Sequence, residues 1–278
     1  MSIKDIVKNH IENIEKFNLE IVYAACQRAD KRELTKLLHQ LDINPLEHVD
    51  VVPSMCYYNN HEDCPEAVAL PDRITAIQPW AFCGSGVTTV LTNKVKNIMH
   101  GAFQDTGLDD VRFSDSLEQI QDDAFRNCIY LTDINLPSSL RSLGLRSFMN
   151  CSELTKVNIA SNYIKEIPAD CFSGCYNLKE INIPESIVII GNDAFHNCGF
   201  EKLTFDHHVT LISRSFCNCS ELREVHIGAD VEVHGDAFSD CPKLEKIYVD
   251  RDSKGFENMV FWQEGVTVVL NDGLELRV

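Results

Sequence analysis

Twelve cysteines are the residues with the widest chemical range in this 278-residue sequence, because thiolates bind metals, attack carbonyls and form disulfides. The most metal-like group lies in the stretch MCYYNNHEDC, where Cys56, His61 and Cys64 are close together and His48 is available as a fourth ligand. Zinc sites usually contain tighter Cys-x2-Cys or His-x3-His pairs. We therefore expect no metal here and predict a linker or capping loop, with a zinc site as the alternative.

Other motifs have chemical counterparts but lack the partners that those chemistries need. Cys83-Gly84-Ser85-Gly86 has neither the lysine of a phosphate loop nor the glycines that flank a nucleophilic serine. The pair His207-His208 and the carboxylates Asp109, Asp110, Asp115, Asp122 and Asp123 have no recognisable acid, base or metal partner in the sequence. Asn150 and Asn218 match glycosylation acceptors, which we discount. The sequence therefore predicts a non-enzymatic protein without a cofactor.

Charge and hydropathy narrow the choice of partner. Lys and Arg number 25 against 42 Asp and Glu, so the net charge is −17 and the chain repels phosphate backbones. We expect no direct binding of nucleic acid, and a basic protein surface as a suitable partner. No apolar run reaches the ~18 residues of a membrane span, and the N-terminus has no signal-peptide core. These features predict a cytoplasmic protein that does not enter membranes.

A repeat organises most of the chain. Phenylalanines that follow a small residue are spaced by 21, 22, 23, 24, 23, 21 and 22 residues. They are Phe82, Phe103, Phe125, Phe148, Phe172, Phe195, Phe216 and Phe238. A unit of ~22 residues cannot bury its apolar side alone, so successive units must stack into a solenoid with one continuous core.

Each unit has the same internal order. A short segment of alternating apolar residues predicts a strand, as in TDINLP and KEINIP. A second apolar pair, such as Ile187 and Ile190, returns the chain to the core. Three residues after the phenylalanine comes a cysteine in six units, and Ser85 or Thr106 in the first two. The six are Cys128, Cys151, Cys175, Cys198, Cys219 and Cys241. We predict that they form a column of buried, unbridged thiols.

The segment from Leu178 to Cys198 follows the pattern Leu-x-x-Ile-x-Ile-Pro-x-x-Ile-x-x-Ile-Gly-x-x-Ala-Phe-x-x-Cys. This pattern resembles the BspA-like leucine-rich repeats, and the resemblance extends over roughly residues 66–250. It implies a right-handed solenoid with a parallel β ladder on its concave side. Members of the family are known mainly as surface or effector proteins that bind other macromolecules, whereas this chain lacks the signal peptide of the secreted ones.

The two ends of the chain depart from the repeat. Apolar residues at helical spacing, with a capping box at Asp30 and Glu33, predict a helical cap over residues 1–48. Residues 49–65 are predicted to be a connecting loop. Asp272-Gly273 lies between apolar runs and predicts a β hairpin within a C-terminal cap over residues 251–278. The predicted fold class is therefore an α+β solenoid with one cap at each end.

The predicted function follows from the strand face. Between the buried positions of each strand one side chain points outward, and these side chains form a column on the concave face. We predict that the following members of the column contact a protein or peptide partner: Arg112, Asn135, Asn158, Asn182, Thr204, His226 and Tyr248. A cytosolic effector or inhibitor is one such role. The alternative is that the repeats select a substrate or target for an activity carried by the N-terminal helical segment. The oligomeric state is left open.

Overall fold

The computed structural model of the protein describes residues 34–36, 38–39, 46, 49–62, 64–250 and 265–277. Helix is almost absent from these residues: α-helical geometry is confined to 34–36 and 38–39, where Leu34 and Leu38 are buried. No described helix is long and apolar enough to cross a membrane. The helices predicted for residues 1–33 lie outside the described part of the chain. The rest of the regular structure consists of short β strands.

The longer strands form the first ladder, which runs along one side of the solenoid. Its strands are β2 (Ala67–Ala69), β4 (Thr89–Leu91), β6 (Asp110–Arg112), β8 (Asp133–Leu136), β10 (Lys156–Ile159), β12 (Glu180–Ile181), β14 (Lys202–Phe205), β16 (Glu224–Ile227), β18 (Lys246–Val249) and β19 (Thr267–Leu270). Neighbouring strands pair in parallel except between β6 and β8 and between β12 and β14, and buried residues alternate with outward-facing ones. This arrangement confirms the strands predicted from the alternating segments.

The apolar return segments form a second ladder of shorter strands. They are β1 (Val51–Val52), β3 (Ala76–Ile77), β5 (Asn97–Ile98), β7 (Gln119–Ile120), β9 (Ser142–Leu143), β11 (Glu166–Ile167), β13 (Ile189–Ile190), β15 (Val209–Leu211) and β17 (Val231–Val233). These strands also pair in parallel, except between β9 and β11. Together the two ladders enclose a parallel β solenoid of about nine turns.

The solenoid begins earlier than predicted. Val51 and Val52 lie within the segment 49–65, which we predicted as a connecting loop, and they pair with Ala76 and Ile77 of the next strand. Tyr57 stacks on Phe82 with a ring-centroid distance of 5.2 Å, so a tyrosine continues the column of phenylalanines by one turn. The change from phenylalanine to tyrosine hid this turn in the sequence.

Stacked rings form an aromatic spine through the core. It consists of Tyr57 and the eight repeat phenylalanines: Phe82, Phe103, Phe125, Phe148, Phe172, Phe195, Phe216 and Phe238. Between successive phenylalanines the centroids are 5.0 to 5.7 Å apart and the planes are within 19° of parallel. Seven of the eight phenylalanines are fully buried, and Phe238 at the end is only partly buried. The repeat spacing thus correctly predicted the centre of the core.

The cysteine column lies directly beside this spine. Each of its six thiols donates to the carbonyl oxygen of the phenylalanine in the preceding unit, from Cys128 to Phe103 at 3.1 Å through Cys241 to Phe216 at 3.4 Å. All six are buried, as predicted. Burial raises the pKa of the Cys128 and Cys151 thiols, which keeps them protonated and able to donate.

This burial predicts slow thiol chemistry in the native protein. We expect the six column cysteines to react with a thiol reagent such as iodoacetamide much more slowly in buffer than in urea, because only the exposed thiolate is nucleophilic. Mass spectrometry of partly labelled protein, digested and mapped residue by residue, gives the rates. The urea-unfolded protein is the control, and fast labelling of Cys151 or Cys198 in the folded protein would contradict the expectation.

Residues with positive φ form regular turns beside the cysteines. The residue before each column cysteine has positive φ, as at Asn127 (60°), Asn150 (60°) and Gly174 (77°). Asparagine and glycine tolerate this left-handed backbone better than other residues. Asn150 Nδ2 donates to Asn127 Oδ1 at 3.0 Å, and a Cβ on Gly174 would lie 2.2 Å from Asn150 Oδ1. The Asn-Cys motif therefore has a conformational cause, and Asn150 uses its amide inside the turn.

The described C-terminal strands continue the first ladder and then reverse. β19 pairs in parallel with β18, and β20 (Glu275–Arg277) pairs with β19 in the antiparallel direction. Gly273 lies between them with φ of 83°, which suits a tight reversal. Residues 251–264 lie outside the described part of the chain, so the predicted role of 251–278 as a cap stays a prediction.

Candidate functional site

The outward-facing side chains of the first ladder form the candidate site. Strand pairing places Asn135 beside Asn158, and Thr204, His226 and Tyr248 on three successive strands. The predicted contact residues therefore share one face. Five of them are exposed, while His226 and Tyr248 are half-buried. They are distributed over three consecutive sheets, ordered β2-β4-β6, β8-β10-β12 and β14-β16-β18-β19-β20.

Ion pairs neutralise much of the charge beside this column. Lys156 Nζ lies 2.8 Å from a Glu180 carboxylate oxygen, and Lys202 Nζ lies 2.6 Å from Glu224 Oε1. The hydrogen bond and the charge of Lys156 lower the pKa of Glu180, and the reverse interaction raises the pKa of Lys156. Such exposed pairs stabilise the fold only weakly. Their main effect is that the face offers neutral hydrogen-bonding groups rather than bare charges.

An aromatic pair lies near the C-terminal end of the face. The rings of His226 and Tyr248 stack with centroids 4.3 Å apart and planes at 13°. His226 Nε2 is 2.5 Å from Glu224 Oε1, so Glu224 holds the imidazole in place. Hydrogen bonds from Lys202 and then His226 lower the pKa of Glu224 and keep it ionised. The pair is a preoriented aromatic surface, which suits an interface anchor.

Asn182 has a different role from the other members of the column. Its Oδ1 accepts from the Ile159 N–H at 2.6 Å, and its Nδ2 donates to the Ile159 carbonyl oxygen at 2.8 Å. Pro184 follows in the sequence and has no N–H to donate to the ladder. The Asn182 amide therefore replaces backbone pairing at the end of β12. Because both of its polar groups already have partners, Asn182 is a weaker contact candidate than Asn135 or Asn158.

Another column, which we did not predict, consists of the residues two positions before each phenylalanine of the spine. Most of these residues are charged. Asp123 is buried, and its carboxylate accepts two hydrogen bonds from Arg146 at 3.0 Å each. Arg126 and His100 approach the same carboxylate at 3.5 and 4.0 Å. Burial raises the pKa of Asp123, but Arg146, Arg126 and His100 together outweigh it, and the pKa is lowered.

The signal for this column was present in the sequence. The residues at this position are Trp80, Gly101, Asp123, Arg146, Asp170, Asp193, Arg214 and Asp236. Arginine twice follows aspartate by one unit, and Arg214 Nε lies 2.9 Å from Asp193 Oδ1. Alignment of the repeats at this position would have predicted the ion pairs. Asp123 and Arg146 face each other rather than an open cleft, so we assign them to stability.

The metal-like stretch does not form a cluster. Cys56 and Cys64 are buried whereas His61 is exposed, and His48 lies outside the described residues. Burial raises the pKa of Cys64 to about 11, which opposes the thiolate that zinc requires. Within the described ranges, no group of three or more His, Cys, Asp or Glu side chains could hold a metal ion.

The remaining sequence motifs are structural. Gly84 has φ of 63°, and a Cβ there would lie 2.1 Å from Asn59 Oδ1, so the Cys-Gly-Ser-Gly stretch is a tight turn. His207 and His208 point into different surroundings: His208 Nδ1 lies 3.1 Å from the Asp230 carbonyl oxygen, while His207 is mostly buried. Asp122 Oδ1 accepts the Leu145 N–H at 2.8 Å.

Two openings interrupt the ladders. One lies between β12 and β14 of the first ladder and has a volume of about 430 Å³. The other lies between β9 and β11 of the second ladder and has a volume of about 400 Å³. At the second opening, the Arg141 guanidinium lies 4.5 Å above the Tyr163 ring. The first ladder is also unpaired between β6 and β8. These features were not predicted.

Comparison with known proteins agrees with this architecture. The family model described as "BspA type Leucine rich repeat region" matches residues 50–165 and 148–267, in six copies. A leucine-rich repeat protein from Bacteroides ovatus shares 20% identity at a TM-score of 0.51, covering 82% of this chain and 77% of its own. A leucine rich cell surface protein from Faecalibacterium prausnitzii shares 24% identity at a TM-score of 0.41, with 81% and 62% covered. The comparison with curated proteins gives no match.

Proposed function

This chain belongs to the BspA-type leucine-rich repeat proteins, and from that membership we propose that it is a non-enzymatic module that binds a protein partner through the outward face of the first ladder. Leucine-rich repeat solenoids are commonly used for protein–protein interaction. The proposed contacts are Arg112, Asn135, Asn158, Thr204, His226 and Tyr248, with Asn182 in a lesser role. An effector or inhibitor is the role that we favour.

One observation carries the proposal most strongly. The face combines neutral hydrogen-bonding side chains with a stacked aromatic pair, His226 and Tyr248, on strands that are held by parallel pairing. Side chains on such a rigid surface lose little freedom on binding, so more of the contact energy contributes to affinity. The long strand face suits a macromolecule better than a small molecule, which prefers an enclosed pocket.

The finer features of the proposal concern the partner and the ends. The net charge of −17 favours a partner with a basic surface and disfavours nucleic acid. We place the protein in the cytoplasm and away from membranes. A helical cap over residues 1–48 and a hairpin cap within 251–278 would close the two ends of a right-handed solenoid. An activity carried by the N-terminal segment is the rival function.

Two matched double variants test the face. Once a partner has been captured from lysate, Arg112→Ala with Tyr248→Ala should weaken its binding roughly 30-fold or more, because Arg and Tyr are frequent interface anchors. The control, Arg141→Ala with Tyr163→Ala, removes the same residue types from the opening between β9 and β11, away from the first ladder, and should leave the affinity unchanged. Calorimetric titration gives the affinities, and circular dichroism checks the fold.

Deletion of residues 1–30 tests the rival function, because it leaves the buried Leu34 and Leu38 in place. If this deletion abolishes binding while the Arg112 and Tyr248 double variant binds normally, the N-terminal segment is the functional part and the proposed face is wrong.

A further inference from the structure

The first ladder opens between β12 and β14, although the second ladder is closed at the same step. Ile189 and Ile190 pair with Thr210 and Leu211, so β13 and β15 remain in contact. On the other side, no backbone hydrogen bond joins residues 180–185 to residues 201–206, all of which are described. The two turns are thus hinged at one edge and separated at the other.

The opening coincides with a shortened corner in the sequence. Lys202, the first residue of β14, comes four residues after Cys198. In the preceding unit Glu180, the first residue of β12, comes five residues after Cys175. Phe200 takes the position that leucine holds in six other corners, and it packs edge-on against two rings of the aromatic spine, with centroids at 5.7 and 6.0 Å. A Cβ on Gly199 would lie 2.4 Å from the Tyr176 carbonyl oxygen. The start of β14 is therefore fixed by its core contacts.

Both edges of the opening carry backbone groups that have no hydrogen-bond partner among the described residues. Along a strand, successive residues direct their N–H and C=O groups to opposite sides. Phe205 faces β16, because its carbonyl oxygen accepts from Gly228. Thr204 and Lys202 therefore face the opening. On the opposite edge, the Glu180 N–H donates to the Thr155 carbonyl oxygen on the side of β10, so by the same alternation the backbone groups of Ile181 and Ile183 face the opening. Unpaired strand edges of this kind are templates for another extended chain.

The floor of the opening is apolar and incompletely covered. Ile181 and Ile183 are half-buried, whereas the equivalent Val157 and Ile159 on the preceding strand are 1% and 2% exposed. His207 lines the same opening, and its Nε2 is buried without a hydrogen-bond partner among the described residues. Apolar contacts and a hydrogen bond to this nitrogen would both be gained by an occupant.

The charges around the opening argue against an anionic occupant. Lys156, Lys179 and Lys202 line it, but each lies within 3.6 Å of a glutamate carboxylate oxygen. A small apolar molecule would cover the isoleucines but would leave the strand edges unpaired. A polypeptide in extended conformation satisfies both requirements, because its backbone pairs with the edges and its side chains alternate between floor and solvent.

We infer that the opening between β12 and β14 takes an extended segment of the partner, which pairs with the edge of β14 at Lys202 and Thr204 and places an apolar side chain on Ile181 and Ile183. The inference rests on the proposed function, since it assigns this part of the first ladder to a protein partner. It adds the chemical class of the contact: a neutral, apolar strand rather than a folded surface.

Hydrogen exchange of the free protein tests the open edge first. We expect the Lys202 and Thr204 amides to exchange quickly and the Leu203 and Phe205 amides, which face β16, to exchange slowly. Asn158 and Ile159 on the paired strand β10 serve as slow references. Slow exchange at Thr204 in the free protein would show that the edge is closed, and would overturn the inference.

Selection of random decapeptides displayed on phage against the intact protein tests the occupant. We expect apolar peptides whose binding falls at least tenfold with Ile183→Lys, which puts a charge on the floor, but not with Thr89→Lys, the control on β4, which is paired on both sides. N-methylation of the peptide at successive positions should weaken binding in an alternating pattern, since only every second N–H pairs with β14.

The outcomes separate this inference from the proposed function. If no decapeptide is enriched, or if Ile183→Lys and N-methylation have no effect on the enriched peptides, the opening is not a strand site. The proposed function still stands in that case, provided that the Arg112 and Tyr248 double variant weakens binding of the captured partner. If that double variant also has no effect, the proposed function fails on its own test.

Discussion

Replacing Phe148 with alanine should lower the free energy of unfolding by about 4 kcal/mol. Phe148 is fully buried and stacks on both sides, with Phe125 at 5.1 Å and Phe172 at 5.4 Å, and the planes lie within 4° of parallel. Truncation removes both stacks and leaves a cavity in the middle of the aromatic spine. Because each unit of a solenoid contacts only its neighbours, no distant part of the protein compensates.

Phe238→Ala is the matched control for this prediction. Phe238 ends the described spine and is only partly buried, and Phe216, at 5.7 Å, is the one ring among the described residues that it stacks on. Its truncation should lower the free energy of unfolding by about 1 to 2 kcal/mol, because less apolar area is uncovered. Urea denaturation followed by circular dichroism measures both variants. An equal or larger loss for Phe238→Ala would show that stacking on both sides does not determine stability here.

Replacing Asp123 with alanine should lower the free energy of unfolding by about 3 kcal/mol, since it breaks a buried ion pair. Arg146 loses both hydrogen bonds at 3.0 Å, and alanine is strained at the φ of 55° that Asp123 adopts. Asp123→Asn is the matched variant, because asparagine tolerates this backbone and keeps one acceptor oxygen but carries no charge. We expect Asp123→Asn to lower the free energy of unfolding by about half as much as Asp123→Ala, because it removes the charge but keeps one acceptor for Arg146.

Acid should remove the difference in the free energy of unfolding between the unmodified protein and the Asp123→Asn variant. The folded-state pKa of Asp123 lies below its ordinary value, so its charge stabilises the native state fully above about pH 4, and this stabilisation is lost as the pH falls through the folded-state pKa. Urea denaturation at pH 7 and at successively lower pH gives the comparison. A difference in stability that stays constant down to pH 2 would contradict the ion-pair explanation.

The aromatic spine and the first ladder were predictable because each is carried by one residue type or one alternation at a constant spacing. Phe82 to Phe238 and the strands around Asn135 and Asn158 are examples. The second ladder was missed because two-residue strands such as Glu166–Ile167 are too short to show alternation. The first turn was missed because Tyr57 replaces a phenylalanine.

The site was only partly predictable. Repeat alignment placed Arg112, Asn158 and Tyr248 on one face, since strand register follows from spacing. It could not show that Asn182 bonds to the backbone of Ile159, because that contact depends on the proline two residues later and on a neighbouring strand. The opening beside β14 likewise coincides with a shortened corner, but corners of the same length before β4 and β6 leave no opening, so its presence and size depend on packing that no local pattern encodes.

The interruptions of the two ladders determine where along the solenoid bending is expected. The first ladder is interrupted after β6 and after β12, and the second after β9. At each of these steps the opposite ladder is continuous, through β7 and β9, β13 and β15, or β8 and β10. At each of these steps the units are therefore paired on one ladder and unpaired on the other, and the unpaired side alternates from one interruption to the next. We expect bending to be easiest at these three steps, because one ladder is unpaired there, whereas the stretches between them are paired on both ladders.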